Sequence, residues 1–195
     1  MKIENQYSPV FGAKFINSVN IGKLAQGIKK YDSAPVSFVE IDPNNIGDIK
    51  ALENASKTWS YAKFVDNIYH AACALRNGSK YYKDNKVYAL TAQKDKFELL
   101  NEKSLLGLVH VGPLDDGSLF IEHLQVKPDI IFVNNPEYKG VGTGILNSIK
   151  CLTRKISLFP SSEKSVRDFY EKNGFFEYPV GANIFTWVKD LSPRF

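Results

Sequence analysis

The hydrophobic positions of the chain change period several times, and each change marks an element. Residues 36–41, VSFVEI, form a short apolar run of strand type, and Asp42-Pro43 behind them supply a helix N-cap and a first helical residue. Ile46, Ile49 and Leu52 then fall at helical spacing in a stretch that runs to about Lys57. Tyr61, Val65, Ile68, Ala72 and Leu75 repeat at i, i+4, i+7, i+11 and i+14, a second helix with Asn77-Gly78 as its stop. The middle reads as strands: KVYALTA (86–92), LLGLVHV (105–111) and LFIEHLQV (119–126), with the turn-forming GPLDDG between the last two. Val141, Ile145, Ile149 and Leu152 return to helical spacing. KISLFP (155–160) is a strand, SEKSVRDFYEKNG (162–174) a helix closed by glycine, and ANIFTWV (182–188) a last strand.

Hairpins followed by a strand–helix–strand step predict an α/β sheet with both antiparallel and parallel neighbours. Residues 1–35 stand apart and read as an arm or an extra edge strand packed on a single domain of residues 36–195; a dimerisation arm, and hence a homodimer, or a substrate-side flap are the competing readings. At 195 residues the chain has room for a full core without disulfides or a structural metal.

Composition removes several function classes. The net charge of +4 comes mostly from scattered lysines, with arginine only at 76, 154, 167 and 194, so no basic stripe for nucleic acid is present. His70, His110 and His123 have no metal-ligand spacing, and Cys73 and Cys151 read as buried thiols of a reducing compartment. No apolar run approaches the ~20 residues of a membrane span, and MKIENQYSPVFGAKF lacks the apolar core of a secretion signal, so the expectation is a cytoplasmic protein.

The chemistry turns on PEYKGVGTGIL, residues 136–146, with glycines at 140, 142 and 144 ahead of a helical run. Glycine-rich turns at helix starts can gather backbone N–H groups around an anion. A dinucleotide site would need GxGxxG directly after its strand and an acidic residue ~20 positions on; here the strand ends at Val126 and position 160 is proline. A Walker loop would need Gly-Lys-Ser/Thr, and Ile145 follows Gly144.

Leu124, Val126 and Pro128, then Gly140 and Gly142, then Phe169-Tyr170 with Gly174-Phe175, together resemble the GNAT superfamily of acetyl-CoA-dependent N-acyltransferases. The match is specific over roughly residues 119–176, and the order of elements agrees with that family from about 36 to 190. The resemblance implies a mainly antiparallel sheet with one splayed parallel pair, flanked by helices on both faces. It implies acetyl-CoA as co-substrate, its pantetheine arm beside Leu124, Gln125 and Val126 and its pyrophosphate over Lys139, Gly140, Val141, Gly142, Thr143 and Gly144. It also implies direct attack by a primary amine of a small molecule or a polypeptide, with Tyr170 as the acid that protonates the departing thiolate. One departure is Glu137, which stands three places before the first glycine where the family has Arg or Gln; Lys139 could restore the charge.

For the base, alternation on strand 119–126 puts Glu122 on the face of Leu124 and Val126 and turns His123 the other way. Glu122 is the first candidate, His123 the second, and Glu40 on the first strand a weaker third. A non-catalytic acyl-CoA-binding module on the same fold, and an unrelated nucleotide-binding protein, remain as rival readings. Trp59, Tyr61, Phe64, Tyr81 and Tyr82 form an aromatic-rich region that could line an acceptor pocket or simply pack.

Overall fold

The computed structural model describes residues 12–26, 29–59 and 62–189. Nine strands form one sheet: β1 (Lys14–Leu24), β2 (Tyr31–Glu40), β3 (Lys86–Thr91), β4 (Leu105–Pro113), β5 (Leu119–Val126), β6 (Tyr138–Lys139), β7 (Lys155–Leu158), β8 (Phe176–Glu177) and β9 (Phe185–Val188). Their spatial order is β6-β1-β2-β3-β4-β5-β7-β9-β8. Every neighbouring pair is antiparallel except β5 and β7, so the mixed sheet with one parallel pair is as expected.

Helices cover both faces. On one face α1 (Ile46–Thr58) and α2 (Val65–Arg76) bury Leu52, Ala55 and Ile68 against Val39, Ala89 and Leu108. On the other, α4 (Val141–Lys150) and α5 (Lys164–Lys172) pack Ile145, Ile149 and Tyr170 against Phe38, Leu90 and Val109. Because successive strand residues serve opposite cores, β3 and β4 are buried almost throughout, which is why they read as unbroken apolar runs rather than as alternation.

Several boundaries move. Asp42 does not cap α1; Asn45 does, its side-chain oxygen accepting from Asp48 N at 3.0 Å, while Asp42 N donates to the buried Asp48 carboxylate at 2.9 Å. The helix thus begins where the backbone donors find an acceptor, three residues after the first good capping residue. Tyr61 of the second periodic run lies outside the described residues, and α2 is described from Val65. Between β5 and β6 the connecting stretch holds a single turn of helix, α3 (Pro128–Ile131). β6 and β8, two residues each, are too short to carry a period. Cys73 is half-buried and Cys151 exposed, so the expectation that both thiols are buried fails at the end of α4. No helix among the described residues is long and apolar enough to cross a membrane.

β1 pairs with β2 along its length and, through Gly22 and Lys23, with β6 on its other side. The segment just ahead of the glycines is thereby tied into the sheet.

Ile149 has no exposed surface and lies where α4 meets the core. Ile149→Ala is expected to cost about 2–5 kcal/mol, from lost transfer energy and the cavity left behind, measured as a lower midpoint at unchanged m-value in urea unfolding.

Candidate functional site

The parallel pair separates almost as soon as it forms. β5 and β7 are in register only at Leu119↔Ile156, Phe120↔Ser157 and Ile121↔Leu158, after which β7 ends and β5 runs on to Val126. Beyond Ile121, backbone N–H and C=O groups on that edge have no strand to continue the ladder among the described residues. On its other edge β5 carries a bulge: Val111 faces Ile121 and His110 faces His123, leaving Glu122 as the extra residue. A groove of about 1090 Å³ opens at the divergence. Its walls are the free edge of β5, the first turn of α4, the inner face of α5 and the chain leaving α3.

The glycines of PEYKGVGTGIL divide the work of making one wall. Gly140 has φ +79°, a left-handed conformation at the N-cap of α4 that a side-chain-bearing residue adopts only with strain. A Cβ on Gly142 would fall 2.9 Å from Cζ of Phe169, so its absence lets α4 and α5 close on each other. Gly144 packs toward β1, and its N–H donates to Gly140 O at 2.8 Å. The N–H groups of Val141, Gly142 and Thr143 precede any intrahelical acceptor, no side chain caps them, and all three residues line the groove. The helix therefore presents free donors and the positive end of its dipole to the groove.

No family model matches the chain, and no curated protein matches it in sequence. Solved structures do match its fold. A protein assigned to the GNAT family of acetyltransferases from Desulfovibrio desulfuricans aligns over 79% of this chain and 99% of its own, at 13% identity and a TM-score of 0.51. The chain has the GNAT fold. Two further structures align with lower scores. They are an acetyltransferase of the GNAT family from Staphylococcus aureus (13% identity, 79% of this chain and 99% of that one, TM-score 0.45) and the Campylobacter jejuni N-acetyltransferase PseH in complex with acetyl coenzyme A (14%, 76% and 95%, TM-score 0.46).

Within this GNAT fold the expected residues divide into those at the groove and those turned from it. Glu137 is turned away: it is exposed, and its carboxylate lies 3.6 Å from Lys23 Nζ while its carbonyl accepts from Leu24 N. Lys139 lines the groove, its ammonium 4.1 Å from the centre of the Tyr31 ring. Glu40 pairs with Lys86 outside the groove. Leu124, Gln125 and Val126 all border the groove, but the Gln125 side chain points to the opposite face. There it accepts from Phe64 N at 3.2 Å and donates to Val126 O at 2.9 Å. Of the aromatic set, Phe64 reaches the groove, Trp59 is core, Tyr81 is 95% exposed, Tyr82 packs on His110, and Tyr61 lies outside the described residues.

Tyr170 borders the groove from α5 and is 9% exposed, held edge-on between Phe169 and Phe175. Burial pushes its pKa up to about 12, so its hydroxyl keeps its proton throughout the neutral range. Glu122 also lines the groove, and partial burial raises its pKa from the ordinary value. The bulge interrupts simple alternation here: Ile121 and Leu124 belong to the same core cluster, so the facing of β5 shifts by one residue at Glu122. His123 lines the groove as well, in contact with His110 across the strand pair. No periodicity marks Tyr31, Asn67, Asn85 or the packing of Phe169 against Gly142; only their through-space neighbours do.

His110 is 2% exposed, and burial first, then the neighbouring His123, lowers its pKa to about 4. Its unfolded form protonates near 6.5, so the unfolded state binds more protons between those values and the His110 contribution to stability is lost as pH falls from about 6.5 toward 4. Asp48, raised to about 6 by burial, acts with the opposite sign in the acid range. The difference between wild type and His110→Gln in urea stability therefore isolates the histidine: wild type should lose more stability than the variant between pH 6.5 and 4.

Proposed function

We propose that the protein is an N-acetyltransferase that moves the acetyl group of acetyl-CoA to a primary amine by direct attack, without an acyl-enzyme. One conjunction carries the reading: an unpaired strand edge, an uncapped helix start and a buried protonated tyrosine open into one groove. The donor set suits the ligand. The open edge of β5 around Leu124 offers backbone partners for the amides of a pantetheine arm, the Val126 carbonyl being already held by the Gln125 side chain. The N–H groups of Val141, Gly142 and Thr143, with Lys139 beside them, suit a pyrophosphate.

In this reading Glu122, a carboxylate in the groove wall, meets the incoming ammonium. Tyr170 donates its proton to the sulfur as the C–S bond breaks, a role that a phenol held protonated by burial can fill. The protein acts in the cytoplasm, and its acceptor is a small molecule or a polypeptide.

The rival of a non-catalytic binding module drew on Glu137 at a cationic position, and that support weakens with Glu137 facing Lys23. Tyr170→Phe is expected to lower kcat by about 10²–10⁴-fold, the usual scale of general acid–base catalysis, with acetyl-CoA affinity unchanged by calorimetry. Full activity of this variant would remove Tyr170 from the mechanism, and the absence of thiol release by wild type with any amine would favour the binding module. Gly142→Val, which forces Phe169 off the first turn of α4, should instead weaken acetyl-CoA binding itself.

A further inference from the structure

His110 and His123 are direct cross-strand partners on β4 and β5, at the bulge that projects Glu122. Their rings lie within 9° of parallel with centroids 5.8 Å apart. Each Nε2 is held 2.9 Å from an asparagine side-chain nitrogen, Asn85 for His110 and Asn67 of α2 for His123. With amide donors there, both Nε2 atoms keep a lone pair and the ring protons sit on Nδ1. Both Nδ1 atoms are buried with no partner among the described residues. Two orphaned donors side by side in a wall of the molecule are costly, on the order of 1–3 kcal/mol each, and ordinary packing does not ask for them.

The two rings differ in access. His110 is closed in by Tyr82 and Asn85, whereas His123 lines the groove beside Glu122 and touches Phe64. Asn67, the residue on its Nε2, is exposed and can swing aside. The other charged groups at this end of the groove are Glu122 on the bulge and Lys63 ahead of α2; α2 itself presents the neutral Asn67 to the ring.

We propose that His123 takes the proton of the attacking amine, and that His110 is a positioning residue behind it. The assignment rests on the acetyl-transfer reading and divides the work at the bulge: Glu122 binds the ammonium, and His123 deprotonates it. An N–H bond of the ammonium breaks and its proton bonds to Nε2 of His123 in place of the Asn67 amide. The freed lone pair bonds to the thioester carbon, the C–S bond breaks and the sulfur takes the Tyr170 proton, and the second N–H proton of the new amide passes through water to the Tyr170 oxygen. Water then removes the proton from His123, the one proton the reaction releases. Burial lowers the pKa of both histidines, so both are neutral at pH 7 and each Nε2 lone pair is available to take a proton. The charge that forms on His123 lies next to Glu122, which offsets it.

Two acceptors test the assignment: an aliphatic amine, protonated at pH 7, and an aniline, already neutral there. His123→Gln should lower kcat/KM for the aliphatic amine by about 10²–10⁴-fold yet hold the aniline rate within about tenfold, with acetyl-CoA affinity unchanged. Glu122→Gln should raise KM for the aliphatic amine and leave the acidic limb of its pH profile in place. His110→Ala, which lets water reach His123, should move that limb upward toward the ordinary histidine value, while His110→Phe should not. Equal losses on both acceptors in His123→Gln would make His123 structural, and discrimination seen in Glu122→Gln but not in His123→Gln would make Glu122 the base; either overturns the proposal. If wild type releases no thiol with either acceptor, the acetyl-transfer reading itself fails.

Discussion

The end of the β5–β7 ladder at Ile121 is the constraint on which the rest of the site depends. A parallel pair that stayed in register would bury its backbone groups in hydrogen bonds and leave no groove. By stopping β7 at Leu158 and carrying β5 on to Val126, the fold leaves one edge of β5 with no neighbouring strand among the described residues. Such an edge in the middle of a sheet stays specific only because α4 and α5 wall it on one side and the chain around α2 on the other.

The bulge at Glu122 acts at the same place for a second reason. It shifts the facing of β5 by one residue, so Ile121, Leu124 and Val126 all serve the core beneath α4 and α5 while His123 and Gln125 turn to the side of α2. Polar side chains from one short strand therefore serve two compartments: Glu122 and His123 at the groove, and Gln125 fastening the start of α2. The arrangement costs a ladder position and gives the groove walls of different chemistry on each side of the strand.

Much of this was legible in the sequence, and the failures have physical causes. β5 was readable to the residue because polar segments bound it, and Gly140 was readable because a left-handed N-cap admits little else. The role of Glu137 was not. Its distance from a glycine says nothing about which way a short strand turns it, and that direction is set by pairing with Gly22 and Lys23, more than a hundred residues earlier. Simple alternation does not hold along β5 because it assumes an unbroken ladder, and a bulge leaves no mark in one sequence. The cap of α1 moved because Asp42, Asn45 and Asp48 all suit a helix start, and only the fold decides which of them holds the backbone donors.

The pairing of β1 with β6 has a further consequence. Tyr31 at the start of β2 donates to Pro136 O at 2.7 Å, Leu24 N donates to Glu137 O, and Lys139 sits over the Tyr31 ring. The amino-terminal hairpin is thus a brace for the glycine turn, holding it in one shape before any ligand arrives. The entropy of ordering that turn is met when the chain folds, so a ligand need not supply it. Force applied to the hairpin would be felt at the first turn of α4, and because Ile21 and Phe38 of the same hairpin sit in the core, the brace cannot be removed without opening the core as well.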